Sequence, residues 1–358
     1  MIPKAVRHLI VAPLFVAFVA VAVALTPLLV VVTGLWSLVL RDRRWRPVRA
    51  LLFTLAYGVH DVAAVMVGLG LWLRLGGRGA MAGEAMQTRH YALATWLLGR
   101  ASTAADRLLA LRVEVKGDAD AVDAVEALDQ PLIVLSRHAG PGDSFLIVRE
   151  LLSHGRRPRI VLRAALQLDP GLDILGNRLP FCWVTRRGGD SEAICLRIAE
   201  ITAGMDGRGA LLLFPEGGNV TPARRRGSIR HLLRAGARRL ARRAADLDHL
   251  TAPRPAGTLA ALRAGGTADV IFVAHSGLAG MQASLWRRVP VDRVLRLQLF
   301  LVRAGDIPRE EDARVEWLFD WWARLDAWVD YDAIAHTTSP RPVPAPVRGD
   351  ADRLEPTR

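Results

Sequence analysis

Cysteine is nearly missing: Cys182 and Cys195 are the only two in 358 residues, they form no CxxC pair, and neither has a neighbouring histidine. A disulfide framework and a zinc site are thereby excluded, and a reducing compartment suits the folded part. Acidic charge is also short, with 35 Asp and Glu against 48 Lys and Arg and a formal charge of +13. Such an excess attracts anions, whether lipid, phosphate ester or nucleic acid. The basic stretches lack the interleaved aromatics of a single-strand-binding surface, and no zinc-finger spacing occurs, so nucleic acid is not expected as a partner. No internal repeat is present.

Charge of either sign is missing from long stretches near the start. Residues 9–40 are uncharged and rich in Val, Leu, Ala and Phe. They exceed the roughly 20 residues that span a bilayer, and a signal peptide has a shorter apolar core. Within them Thr26 and Pro27 mark either a kink or the tip of a re-entrant hairpin, because Pro removes a backbone donor. Residues 51–73 form a second apolar run, whose His60 and Asp61 are costly against lipid and are expected to face protein or an interface. The linker between the runs holds Arg41, Arg43, Arg44, Arg46 and Arg49, and such loops stay cytoplasmic. Two full crossings would put that linker across the bilayer from the rest of the chain, so at least one run must be re-entrant or interfacial. Residues 1–80 are thus expected to anchor the protein at the cell membrane, with the remainder on the cytoplasmic side.

From about Gly83 the pattern changes to amphipathic helices alternating with short β runs at residues 111–115, 132–135, 159–162, 210–214 and 270–274. This alternation predicts an α/β fold, a mixed sheet flanked by helices, over residues 81–337. Residues 316–331 place Trp317, Trp321, Leu325 and Trp328 on one helical face, which either packs into the core or docks at a membrane interface. Residues 338–358 form a Pro-rich polar tail with too little apolar content to pack, and disorder is expected there.

The apolar run ending at Leu135 passes into Ser136-Arg137-His138-Ala139-Gly140-Pro141-Gly142-Asp143-Ser144, a turn-rich segment ahead of an apolar helix. A neutral imidazole is suited to taking a hydroxyl proton near neutral pH, and a nearby carboxylate can hold its useful tautomer. Asp143 equally suits the cap of the following helix. The spacing His138-x4-Asp143 is weak by itself and needs context. That context is a second apolar run that ends abruptly in Phe214-Pro215-Glu216-Gly217-Gly218-Asn219, a loop able to bring backbone N–H groups close to a phosphate. Arg224, Arg225 and Arg226 follow, either neutralising a substrate phosphate or the phosphates of CoA, or forming a solvated or membrane-facing basic patch. His275, ending the run at 270–274, reads as a hydrogen-bonded structural histidine.

Together, His138-x4-Asp143 and Phe214-Pro215-Glu216-Gly217 resemble the first and third motifs of the glycerolipid acyltransferase family, in the family's order. Gly176 through Trp183-Val184-Thr185-Arg186-Arg187 is similar to the second, and Pro253-Arg254-Pro255-Ala256-Gly257, followed later by Asp269-Val270, to the fourth of its lysophosphatidic acid and lysocardiolipin acyltransferase branch. The resemblance implies that His138, oriented by Asp143, deprotonates an acceptor hydroxyl that attacks an acyl-CoA or acyl-carrier-protein thioester, with no acyl-enzyme, cofactor or metal. It also implies that Arg186, Arg187, Phe214, Pro215, Glu216, Gly217, Gly218 and Arg254 bind or organise a lysophospholipid acceptor. The acceptor it favours is 1-acyl-sn-glycerol 3-phosphate, giving phosphatidic acid in phospholipid biosynthesis, with another lysophospholipid or a glycolipid as alternatives. For Glu216 the assigned role is acceptor binding or site organisation, since a bare carboxylate repels phosphate. The sequence departs from the family pattern at Gly218 and Asn219, where Thr-Arg is usual, and at Arg137, where Asn commonly precedes the histidine.

Two rivals remain. Gly142-Asp143-Ser144-Phe145 resembles the nucleophile motif of Gly-Asp-Ser esterases, with Asp246 and His249 as acid and base and Ser144 as nucleophile. The other rival is a catalytically inactive membrane scaffold.

Overall fold

The structure is a computed structural model and describes residues 2–74, 83–140, 142–185, 191–277 and 289–335. The tail expected to be disordered lies outside these residues. Seven strands are described: β1 (Leu111–Gly117), β2 (Leu132–Ser136), β3 (Arg157–Arg163), β4 (Cys182–Val184), β5 (Gly209–Leu213), β6 (Asp269–Ser276) and β7 (Arg293–Val302). They form one sheet in the order β1-β7-β6-β2-β5-β3-β4. Neighbours run parallel except β6 and β7, which are antiparallel, so the fold is the expected mixed α/β sheet flanked by helices.

β2 and β5 are buried at every residue, which is why they read as unbroken apolar runs. Alternate side chains serve opposite faces: Leu132 and Val134 enter one core, Ile133 and Leu135 the other. Helices Glu84–Ala104, Ala119–Glu126 and Asp143–Ser153 cover the first face, and Ser191–Ala203, Pro255–Gly265 and Glu311–Ala335 the second. In the last of these the Trp-rich face packs into the core. Leu325 and Trp322 are fully buried, and Trp321 stacks on Phe272 with ring centroids 4.5 Å apart.

The apolar N-terminus forms helices Ala12–Ala24 and Thr26–Val39, then Arg46–Arg74. Hydrogen bonds Leu25 N–H to Val21 O and Leu29 N–H to Leu25 O, each 2.9 Å, carry the helix past Pro27, so Thr26 and Pro27 make a kink and not a hairpin tip. Arg46–Arg74 returns alongside both halves, giving a two-helix hairpin whose turn holds the arginine-rich linker. The stretches Lys4–Ala24 and Arg46–Arg74 are each long and apolar enough to cross a membrane. Leu9, Phe18, Met66 and Leu73 stand exposed on them, as do Val31 and Val39 on Thr26–Val39, the kind of apolar surface that meets a membrane or a partner.

Both ends of this hairpin are fastened to the sheet domain. Arg7 forks onto Asp173 with two 3.0 Å bonds, and buried Asp61 accepts the Gly171 N–H at 3.2 Å, facing protein as its cost in lipid requires. His60 bonds the Ala56 carbonyl at 2.6 Å within its own helix. At the other end Arg49 donates to the Leu108 carbonyl (2.6 Å) and pairs with Asp292 at 3.0 Å, so the linker lies against the sheet domain.

Candidate active site

The carboxyl ends of the adjacent strands β6, β2, β5 and β3 bring His275, His138, the turn after Phe214, and Arg163 to one edge of the sheet, where parallel α/β sheets open their crevices. β2 stops at Ser136, and the chain turns through Gly142, whose φ of +102° suits glycine, into helix Asp143–Ser153. Gly142 therefore takes the capping position, which leaves the Asp143 carboxylate for other work. Asp143 is fully buried, and its Oδ2 lies 2.8 Å from His138 Nδ1. It also accepts the N–H of Gly140 (3.2 Å) and of Ser144 (2.7 Å). Burial opposes its ionisation, but the hydrogen bond and charge of His138, helped by His275 and Gly140, outweigh it and hold the carboxyl below the usual carboxylate range. An ionised Asp143 can only accept, so Nδ1 carries a proton, and in the neutral ring the basic lone pair is on Nε2. Among the described residues no protein group bonds Nε2. The Phe214 ring packs beside the imidazole, centroids 4.6 Å apart.

Glu216 is buried, and both its oxygens are taken by backbone: Oε1 by the His138 N–H (2.8 Å) and Oε2 by the Thr251 N–H (2.9 Å). Burial raises its pKa to about 7 against the opposing pull of those two N–H groups and the Arg137 charge. Buried and bonded in this way, the side chain joins the His138 and Thr251 backbones, a placement that suits site organisation among its two expected roles. The Val220 N–H donates to the His138 carbonyl (3.0 Å) and the Arg254 N–H to the Pro215 carbonyl (2.8 Å), which locks the β2, β5 and Pro255 segments into one unit.

Three guanidinium groups converge on the turn at Gly217 and Gly218. A Cβ at Gly218, where φ is +152°, would collide with Arg163 and Arg224, and one at Gly217 would lie 3.4 Å from the Arg254 guanidinium. Arg163 and Arg254 have no carboxylate partner among the described residues. Arg163 ends β3, and its apolar context between Leu162 and Ala164 gives no motif that marks it in the sequence. Its place at the carboxyl end of a strand is the signal that would have found it.

Arg137 points elsewhere. It is 2% exposed and donates to the carbonyls of His275 (2.7 Å) and His249 (3.1 Å), so it braces strand ends behind the site. His275 reciprocates, its Nε2 donating to the Arg137 carbonyl at 3.1 Å and standing 3.8 Å from Asp143 Oδ2. Burial, then the Arg137 charge, lowers its pKa to about 4, so the ring is neutral and structural. Gly176 packs against the Trp183 indole, whose Nε1 donates to its carbonyl at 3.2 Å. Arg186 and Arg187 lie outside the described residues.

The esterase triad is not assembled. The Ser144 hydroxyl faces Asp143 at 3.4 Å, whereas His249 Nε2 meets Asp330 at 3.4 Å. Among the described residues no three His, Cys, Asp or Glu side chains cluster as metal ligands.

No curated protein matches the sequence. Residues 112–255, the span that holds His138, Asp143, Arg163 and the Glu216 turn, match the family model described as Acyltransferase, and the chain thus carries a domain of that acyltransferase family.

Proposed function

We propose that the protein transfers an acyl chain from acyl-CoA or acyl-carrier protein to a lysophospholipid hydroxyl, the acceptor being 1-acyl-sn-glycerol 3-phosphate and the product phosphatidic acid for phospholipid biosynthesis. The supporting observation is a histidine with one ring nitrogen fixed by a buried carboxylate and the other unclaimed, on a loop bonded directly to a turn ringed by three guanidiniums. The guanidiniums suit a phosphate monoester, which accepts paired N–H donors. His138 Nε2 removes the acceptor hydroxyl proton as that oxygen forms its bond to the thioester carbonyl carbon. The tetrahedral centre then collapses, the C–S bond breaks, and the imidazolium returns the proton to the departing thiolate. The N–H groups of His138, Gly140, Ser144 and Val220 are already committed, so other donors meet the developing oxyanion.

The apolar hairpin, held at both ends against the sheet domain, suits a chain that lies in one face of the cell membrane with linker and active site together on the cytoplasmic side.

The test is a panel of lysophospholipids and glycolipids offered with labelled acyl-CoA or acyl-carrier protein, products being identified by mass. Phosphatidic acid is expected, with His138→Ala lowering the rate about a thousandfold in a folded protein and Ser144→Ala retaining most activity. Absence of transfer to every acceptor, or the reverse pattern of mutants, overturns the reading.

A further inference from the structure

Acyl transfer of this kind has two phosphate-bearing reactants, the lysolipid and the phosphopantetheine arm of its thioester donor. The structure carries two basic sets that meet at the first turn of helix Pro222–Arg234. One is the trio of Arg163, Arg224 and Arg254 around Gly217 and Gly218. The other faces a cavity of about 590 Å³ lined by Val220, Pro222, Arg225, Arg226, Ile229 and Asp248. That volume falls within the range of roughly 300–1,000 Å³ typical of small-molecule sites.

One wall of the cavity is tied to the catalytic loop, since Val220 donates to the His138 carbonyl at 3.0 Å. Its wall is apolar at Val220, Pro222 and Ile229, which suits the uncharged pantetheine chain. Arg225 is a fixed part of the wall, bonded to the Ala245 carbonyl (2.9 Å) and 3.5 Å from Asp248. Arg226 is exposed and has no carboxylate partner among the described residues. With Arg230 and Arg234 it makes a stripe at spacing four along one face of a helix that contains no acidic residue. This helix packs with Arg238–Ala245 towards Glu311–Ala335, whereas the apolar hairpin packs against Glu84–Ala104 and Pro170–Gly176. The stripe and the hairpin thus lie over opposite faces of the sheet, which favours a water-borne ligand over anionic lipid.

We propose that the cavity beside Val220 holds the phosphorylated pantetheine arm of the acyl donor, with Arg226 at its mouth pairing the phosphate. This rests on the acyl-transfer reading above. CoA and acyl-carrier protein share that arm, and Arg230 and Arg234 meet what lies beyond it.

The experiment uses the full chain and its Arg226→Glu and Arg226→Lys variants. It measures KM for acyl-CoA, acyl-carrier protein and lysolipid, and the binding of free CoA, phosphopantetheine and unphosphorylated pantetheine by calorimetry. Arg226→Glu is expected to raise donor KM and phosphopantetheine Kd at least about tenfold without moving lysolipid KM, and Arg226→Lys to restore most of the affinity. Pantetheine should bind the parent as weakly as phosphopantetheine binds Arg226→Glu. In Arg230→Glu/Arg234→Glu, a rise in KM confined to acyl-carrier protein assigns the protein-borne donor, and a rise with acyl-CoA assigns the nucleotide. Unchanged donor KM and Kd in folded Arg226→Glu, with transfer intact, overturns the cavity assignment and leaves the acyl-transfer reading standing. Absence of transfer with Arg226-dependent binding of CoA does the opposite.

Discussion

Replacing Asp143 by Asn tests whether its carboxylate sets the state of His138. The carboxylate accepts three N–H groups, from His138 Nδ1 at 2.8 Å, Gly140 at 3.2 Å and Ser144 at 2.7 Å, the first two on Oδ2 and the third on Oδ1. An amide offers one accepting oxygen. With that oxygen at the Oδ2 position, its NH2 confronts the Ser144 N–H, and a buried donor left unpaired costs about 1–3 kcal/mol. In the other orientation the NH2 faces His138, Nδ1 must accept, and the ring proton moves to Nε2, where the base is needed. Either way the negative charge opposite the imidazolium is gone. A hydrogen bond to a charged partner contributes about 1.5–3 kcal/mol, which is roughly 10- to 150-fold in rate. The wrong tautomer adds to this, and the equivalent change in serine-protease triads reaches about 10,000-fold. For Asp143→Asn the expected fall in kcat is therefore ~100- to 10,000-fold, with both KM values nearly unchanged. Initial rates at saturating donor and acceptor measure it, with circular dichroism to establish folding. A folded variant that keeps kcat within a few-fold of the parent refutes the argument.

Glu216→Gln should remove a pH dependence of stability. The folded carboxyl titrates near 7 against an ordinary 4.5, so its contribution is full below 4.5 and is lost as pH rises through 7, about 3 kcal/mol in all. Urea midpoints at pH 5 and pH 8 should accordingly differ less in the variant, and kcat should fall, because an amide NH2 faces the N–H of His138 or Thr251; parallel pH slopes in the two proteins refute this. Gly218→Ala places a methyl where the Arg163 and Arg224 guanidiniums lie, at a φ of +152° that disfavours any side chain, so lysolipid KM should rise about tenfold while donor KM stays. Equal changes in both KM values would show that the turn does not sort the two substrates.

β2, β5 and β6 were legible because strands buried on both faces can hold little but apolar residues. β4 has three residues, too few to show a period, and the antiparallel pairing of β7 with β6 is a non-local fact that no window of sequence contains. The His138 and Asp143 spacing marked the site, but Gly142 decides that they meet, by turning the chain with a positive φ and taking the cap position itself. Glu216 shows the limit most clearly. Its partners are backbone N–H groups of His138 and Thr251, 78 and 35 residues away, and backbone donors leave no signature in side-chain identity. Arg137 looked like a departure near the acceptor, yet its brace role depends on carbonyls of His249 and His275 that only the folded chain brings within reach.

The linker arginines pose a question of sidedness that the contacts turn into a measurement. Helix Arg46–Arg74 has 29 residues and, at 1.5 Å each, reaches about 43 Å, more than the ~30 Å hydrocarbon core. Length alone therefore permits a crossing. A crossing would carry Arg49 to the far side of the bilayer from the sheet domain, breaking its 2.6 Å bond to the Leu108 carbonyl and its 3.0 Å pair with Asp292. Arg7 and Asp173 fasten the start of the partner helix to the same domain, so neither end of the hairpin can leave it. Single cysteines introduced by Arg43→Cys in the linker and Ser153→Cys on the sheet domain, both at exposed positions, should react with a membrane-impermeant thiol reagent from the same side of sealed vesicles. Cys195→Ser in the background removes the less buried native thiol. Labelling of the two positions from opposite sides would mean that the linker and Asp292 never meet in the membrane-bound protein, and the one-face arrangement of anchor and active site would fall with that contact.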